Sequence, residues 1–144
     1  MRGRAAEELL GLPVRLRGIQ LGRPVDLIVD LASGRAHGFD VLCGDEIHRF
    51  LPFAAVTVRD DELAVSSALT MLEERELAFY RDRAGLLGRL RGVELERDGR
   101  PIGRLRDLVV GDGGALAAVL VDDGTGISAV DTGDGLGVAT ASAA

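Results

Sequence analysis

Two histidines, one cysteine and a scatter of carboxylates are the side chains here whose types suggest chemistry. His37, His48 and Cys43 are the soft metal-ligand candidates, but they show neither Cys-x-x-Cys nor His-x-x-x-His spacing. With residues 37–43 extended, His37 and Cys43 share a face and stand about 20 Å apart at ~3.3 Å per residue. A shared metal ion is therefore not expected, and Cys43 reads as a packing residue. Asp40, Asp45 and Glu46 beside His48 offer acid–base work or a weak divalent-cation site, yet acidic turn residues are ordinarily solvated. Asp122-Asp123-Gly124 lacks the alternating ligands and closing Glu of a calcium loop. Ser33, Ser66 and Ser67 have no triad companions, and there is no Gly-x-Ser-x-Gly. Gly111-Asp112-Gly113-Gly114 leads into an expected strand, whereas a phosphate loop needs a helix N-terminus there. No catalytic residue, cofactor or metal is expected.

Charge is the next source of chemistry. All 17 basic residues are Arg, with Lys and Asn absent, a bias that fits GC-rich codon usage. Net charge is −6, which argues against nonspecific nucleic-acid binding, because that needs a basic face to release counterions. Residues 107–144 hold six Asp and no base. Arg81, Arg83 and Arg89, with Arg91 nearby, are the candidate partner-docking residues. The competing reading is a solvated helix face, with these arginines paired to Glu73, Glu74, Glu76 and Asp82 at helical spacing. A lone cysteine permits no intrachain disulfide. No apolar run approaches the roughly 20 residues of a membrane helix, and Met1–Leu12 mixes Arg with Glu, unlike a signal peptide. A soluble, cytoplasmic protein is expected.

These residues must be positioned by β-rich elements. Aromatics make up only 3% of the chain and Trp is absent, so the core is expected to be Leu, Val, Ile and Ala. Gly22-Arg23-Pro24-Val25 recurs as Gly99-Arg100-Pro101-Ile102, with Asp30-Leu31 falling on Asp107-Leu108. Leu16-Arg17-Gly18-Ile19 likewise matches Leu90-Arg91-Gly92-Val93, and Asp61–Val65 matches Asp134–Val138. Gly22, Pro24, Gly99 and Pro101 are expected in tight turns, and Gly34 and Gly113 in hairpin turns. Strands are expected at Val25–Val29, Gly38–Cys43, Val56–Val58 and Glu62–Val65, then at Leu105–Val110 and Ala115–Val121. Ile127–Val130 and Leu136–Ala139 are the expected shorter counterpart of the hairpin at 56–65. One helix is expected over about Ala68 to Arg89, with Ser66 or Ser67 as N-cap and its acids early and arginines late.

Several of these features resemble the PRC-barrel superfamily. They are Gly22-Arg23-Pro24-Val25, Asp30 to Gly34, Leu51-Pro52 and Asp61 to Val65, then Gly99 to Gly103 and Asp107 to Gly111. The second set has no Leu-Pro, and its equivalent of Asp45 to Phe53 is expected to be nearly deleted. The resemblance implies a mainly β chain of two small PRC-barrel-like curled sheets joined by one α-helix. The expected division is 12–65, first repeat; 66–91, connecting helix; 92–140, second and shorter repeat. It also implies a non-enzymatic adaptor or scaffold that docks a protein partner, with a homodimer expected. The alternative it carries is a ribosome- or RNA-maturation-associated factor.

Overall fold

Two left-handed turns set the first constraint on the chain. Arg17-Gly18 has φ of 51° and 82°, and Asp98-Gly99 has 52° and 82°. Successive positive φ values suit the two-residue hairpin turn whose twist matches that of the flanking strands. The computed structural model describes residues 3–68, 71, 85–133 and 135–139. In it the first turn joins β2 (Val14–Leu16) to β3 (Ile19–Asp30), and the second joins β9 (Glu94–Arg97) to β10 (Arg100–Val110).

The remaining elements build two sheets, one of them curled into a half-barrel. The first sheet runs β5-β4-β3-β2-β7-β6, where β4 is Arg35–Cys43, β5 His48–Pro52, β6 Val56–Val58 and β7 Leu63–Val65. The second runs β12-β11-β10-β9-β13, where β11 is Leu116–Asp122, β12 Ile127–Val130 and β13 Leu136–Val138. Short 3₁₀ turns at Phe53–Ala55 and Asp112–Gly114 complete the loops.

The pairing scheme of the first sheet recurs in the second. Val14 lies opposite Gly22 as Leu95 lies opposite Gly103, and Arg15 opposite Gln20 as Glu96 lies opposite Pro101. Corresponding positions are thus 81 residues apart (95 − 14, 103 − 22). The register shifts in β3, at Pro24/Asp26 and Ile28/Val29, recur in β10 at Leu105/Asp107 and Val109/Val110. This corrects the alignment read from the sequence. Gly22 corresponds to Gly103, not Gly99, and Gly99 corresponds to Gly18. Gly22 and Pro24 lie inside β3 and Pro101 inside β10, so these three are strand residues, not turn residues. Both corresponding glycines sit where strands crowd: a Cβ on Gly22 would stand 2.6 Å from the Leu42 carbonyl oxygen, and one on Gly103 2.6 Å from that of Asp122. Gly34 (φ 70°) and Gly113 (φ 69°) occupy the loops after β3 and β10.

The segments preceding each hairpin are exchanged between the sheets. β1 (Arg4–Ala5) pairs with β10, placing Arg4 opposite Val110. β8 (Gly85–Leu86) pairs with β3, placing Gly85 opposite Val29. Each short strand runs into a short helix, α1 (Ala6–Leu10) or α2 (Leu87–Leu90), and neither helix is capped by its own N-cap side chain. A carboxylate from the other sheet accepts instead. Asp26 Oδ1 accepts from Gly88 N at 2.9 Å, and Asp107 Oδ2 accepts from Glu7 N at 3.5 Å. Arg35 and Ala115, which hold corresponding places at the starts of the β4 and β11 arms, bridge the two sheets directly.

One core fills the space between the sheets. Leu27, Val29, Phe39, Val41 and Leu51 of the first meet Leu105, Leu108, Val119 and Val121 of the second in a single buried cluster that includes Ala6, Leu9 and Leu87 from the helices. Phe39 stacks on Phe53 with ring centroids 5.5 Å apart.

Three further expectations are corrected. The tail of the expected 68–89 helix is a strand, Gly85–Leu86, followed by the four-residue α2; residues 69–70 and 72–84, including Arg81 and Arg83, lie outside the described residues. Ile127–Val130 does not pair with Leu136–Val138. It pairs with β11 and corresponds to β5, so the counterpart of 48–51 is present, not deleted. Finally, β13 lies beside β9 antiparallel, whereas β7 lies beside β2 parallel, so Leu63–Val65 and Leu136–Val138 fill matching slots in opposite directions.

Replacing Asp26 by Ala removes the acceptor at the α2 N-terminus. We expect a loss of about 1 kcal/mol, seen in a thermal melt as a fall of a few degrees. Asp26→Asn, which keeps an acceptor oxygen, should lose clearly less.

Candidate functional site

The far face of the second sheet, turned away from the shared core, is the largest contrast between the two halves. In β10, β11 and β12 the side chains that alternate with the core residues include the apolar Val109, Ala118, Leu120, Ala129 and Ile127, with Asp107 opposite Leu120 and Asp122 opposite Ile127 on the same face. Val109, Ala118 and Leu120 are half-buried, Ala129 is exposed, and Ile127 is 56% exposed. The corresponding positions in the first sheet, fixed by the same pairings, are Ile28, Gly38, Asp40, Phe50 and His48. There Ile28 is 0% and Phe50 2% exposed, and the Phe50 ring lies over Gly38. The same architecture thus carries a covered face on one sheet and an open apolar face on the other.

The open face ends at a bare edge. Among the described residues β12 pairs only with β11, leaving its outer backbone groups unpaired. Its sequence, Ile-Ser-Ala-Val, contains no charge and no proline. The matching edge strand β5 is blunted. Pro52 lacks an N–H, and Arg49 is clamped to Asp45 through two hydrogen bonds of 2.9 and 2.7 Å. That clamp holds the Asp45 carboxyl down at about 2 and pushes the Arg49 guanidinium up from its ordinary value.

Carboxylates bracket β12. Asp122 Oδ1 accepts from Gly124 N at 2.9 Å. Asp123 Oδ1 accepts from Thr125 Oγ1 at 2.6 Å, Thr125 N at 2.8 Å and Gly126 N at 3.2 Å, which shape the turn into β12. The Thr125 hydroxyl and these amides hold the Asp123 carboxyl below its ordinary range. Asp131 follows the strand at once, its backbone carbonyl accepting from Arg97.

Clefts are also present. A cleft of about 670 Å³ opens between the segment from Phe53 to Asp60 and the loop after β10, with Leu9 and Val110 in its wall and Arg4 and Asp112 at its rim. A smaller one, about 400 Å³, gathers Arg91, Arg104 and Arg106 with Glu7 and Asp122. Two of its cations are met by carboxylates: Arg91 lies 3.5 Å from Asp107 and Arg104 3.8 Å from Glu94.

The residues singled out in the sequence are dispersed. Cys43 is buried with its Sγ 3.9 Å from the Val41 carbonyl oxygen. His48 Nδ1 lies 2.8 Å from Oδ1 of Asp40, while Asp45 turns to Arg49 instead of joining them. No group of three or more His, Cys, Asp or Glu side chains among the described residues is arranged to hold a metal ion. Arg89 is exposed at the end of α2, and Arg81 and Arg83 lie outside the described residues. The sequence reading passed over Val109, Leu120, Ala129 and Ile127. Their alternation marks them as strand residues, but nothing local says which face is left uncovered.

No family model matches this chain. No curated protein matches it either.

The Asp45–Arg49 clamp has a pH signature. Asp45 is depressed in the folded state, from 3.8 to about 2, so its contribution is present above pH 3.8 and is lost as pH falls toward 2. Asp45→Asn should lower the melting temperature above pH 5 slightly, the pair being exposed, and that small deficit should vanish as pH falls toward 2, flattening the acid limb. An acid limb identical to that of the parent protein would show that the clamp does not form in solution.

Proposed function

We propose that this protein is a non-catalytic adaptor that docks a protein partner on the far face of its second sheet. The observation that carries this reading is the contrast between matched positions: Phe50 is 2% exposed, whereas its counterpart Ala129 stands open beside Ile127. A contiguous apolar patch on an otherwise charged, acidic chain is the kind of surface that a partner covers. Arg89, exposed beside the first sheet, is a secondary contact at most. We further propose that each sheet is a PRC-barrel-like unit. The supports are the curling of one sheet into a half-barrel and the common pairing scheme, together with the sequence resemblance.

A photo-crosslinking side chain at position 120 or 127 tests the docking reading in cells of the native host. Adducts with one defined protein are expected at both positions and not at Ile19, which is exposed on the first sheet. The change Ala118→Asp should reduce the adduct roughly tenfold or more, since a charge buried in an interface core is costly. The protein should melt as before, because Ala118 lies outside the central core. Equal labelling from position 19, or no effect of Ala118→Asp, would overturn the assignment of this face.

A further inference from the structure

We infer that the occupant of the second sheet's edge is an extended peptide segment with an apolar centre and basic ends, added as a further strand beside β12. This rests on the docking reading above and specifies its partner. Three observations converge on it.

The first is backbone chemistry. Along the outer side of the four-residue β12, every second residue offers an unpaired donor and acceptor, with no proline and no side-chain charge to discourage pairing. Strand addition of this kind takes its affinity from main-chain hydrogen bonds and its specificity from alternate side chains. On the far face, an added strand would set its outward residues against Ile127 and Ala129, so apolar residues are required there. On the other face it meets Ser128 and Val130, where small or β-branched residues fit.

The second is charge. Asp122 and Asp123 stand before β12 and Asp131 after it, and among the described residues none of the three carboxylates is ion-paired with an Arg. The chain supplies no base anywhere from residue 107 onward. Cations just beyond both ends of the incoming strand meet these carboxylates whichever direction the strand runs. The low proton affinity of Asp123 keeps its charge in place across the physiological range.

The third decides between this occupant and a second copy of the chain. Antiparallel self-pairing of β12 keeps the far faces aligned only with Ser128 or Ala129 on the two-fold axis, because side chains alternate. Either register brings one copy's Asp131 toward the Asp122–Asp123 turn of the other, with Arg97 held on the Asp131 backbone carbonyl and not on a carboxylate. The bracketing aspartates thus act against self-association while attracting a basic strand.

The probe is a labelled peptide of alternating Val and Thr, flanked by two Arg at each end, titrated into the full chain and read by fluorescence anisotropy. The comparison peptide has Glu in place of Arg. We expect the Arg-flanked peptide to bind at least ~10-fold more tightly at low salt, and the gap to shrink in 1 M salt, where the Debye length is ~3 Å. The triple change Asp122→Asn, Asp123→Asn and Asp131→Asn should narrow the gap without lowering the melting temperature. Replacing the central Val of the peptide by Pro should abolish binding. Equal affinity for the two peptides, or binding of neither, would overturn the inference. So would concentration-dependent dimerisation that Ile127→Asp removes, since the edge would then belong to a second copy. Crosslinks from position 120 that persist alongside any of these results would leave the docking face standing and reject only this partner.

Discussion

Asp26 and Asp107 hold the structure together from inside its two central hairpins. Each is a strand residue whose carboxylate reaches across to the N-terminus of a helix from the other half, Asp26 to Gly88 and Asp107 to Glu7. Helices of five and four residues do not persist alone in water, where even ~12-residue helices are marginal. These two form because a carboxylate satisfies an orphan amide and because Leu9 and Leu87 bury completely. The same contact fixes where β1 and β8 add to the sheets. The shared core between the sheets therefore depends on the exchange, as Ala6, Leu9 and Leu87 are part of it.

Much of the strand content was legible. Alternating Leu27 and Val29, or Leu108 and Val110, read as half-buried strands, and the hairpin arms after them follow from the Gly-bearing loops. Other features were hidden for identifiable reasons. The Gly-Arg-Pro strings match by residue identity, but the backbone repeats on a different register, because Arg17 takes a left-handed conformation that its type does not advertise. Two-residue strands carry no periodicity, so β1 and β8 cannot be seen without their partners on β10 and β3. The late part of the expected helix shows apolar spacing compatible with either state. Gly85-Leu86 adopts the extended one because an open position beside β3 accepts it.

The open face shows the limit of pattern reading more plainly. Val109, Leu120 and Ile127 alternate just as Ile28, Asp40 and His48 do in the matching strands. Ile28 and Asp40 are covered while Val109 and Leu120 are only half-buried, and coverage is a property of the assembled chain. Divergence is visible within the matched pairs. Phe50 in the first sheet answers to Ala129 in the second, and the Arg49 that blunts the first edge answers to the uncharged Ser128. A large side chain has been kept where a face is sealed, and small ones where it is bare.

The exchange of end segments also constrains the order in which the molecule can be made. Arg4 finds its place only against Val110, so it waits for a strand that is made much later. Until Gly85 and Leu86 emerge, β3 lacks its added strand, and Leu27 and Val29 lack the surface of the second sheet. Such distant pairings carry a large loop-closure cost before they are rewarded. Assembly is then a late, concerted event, and a chain stalled midway through translation presents unsealed aliphatic surface to its surroundings.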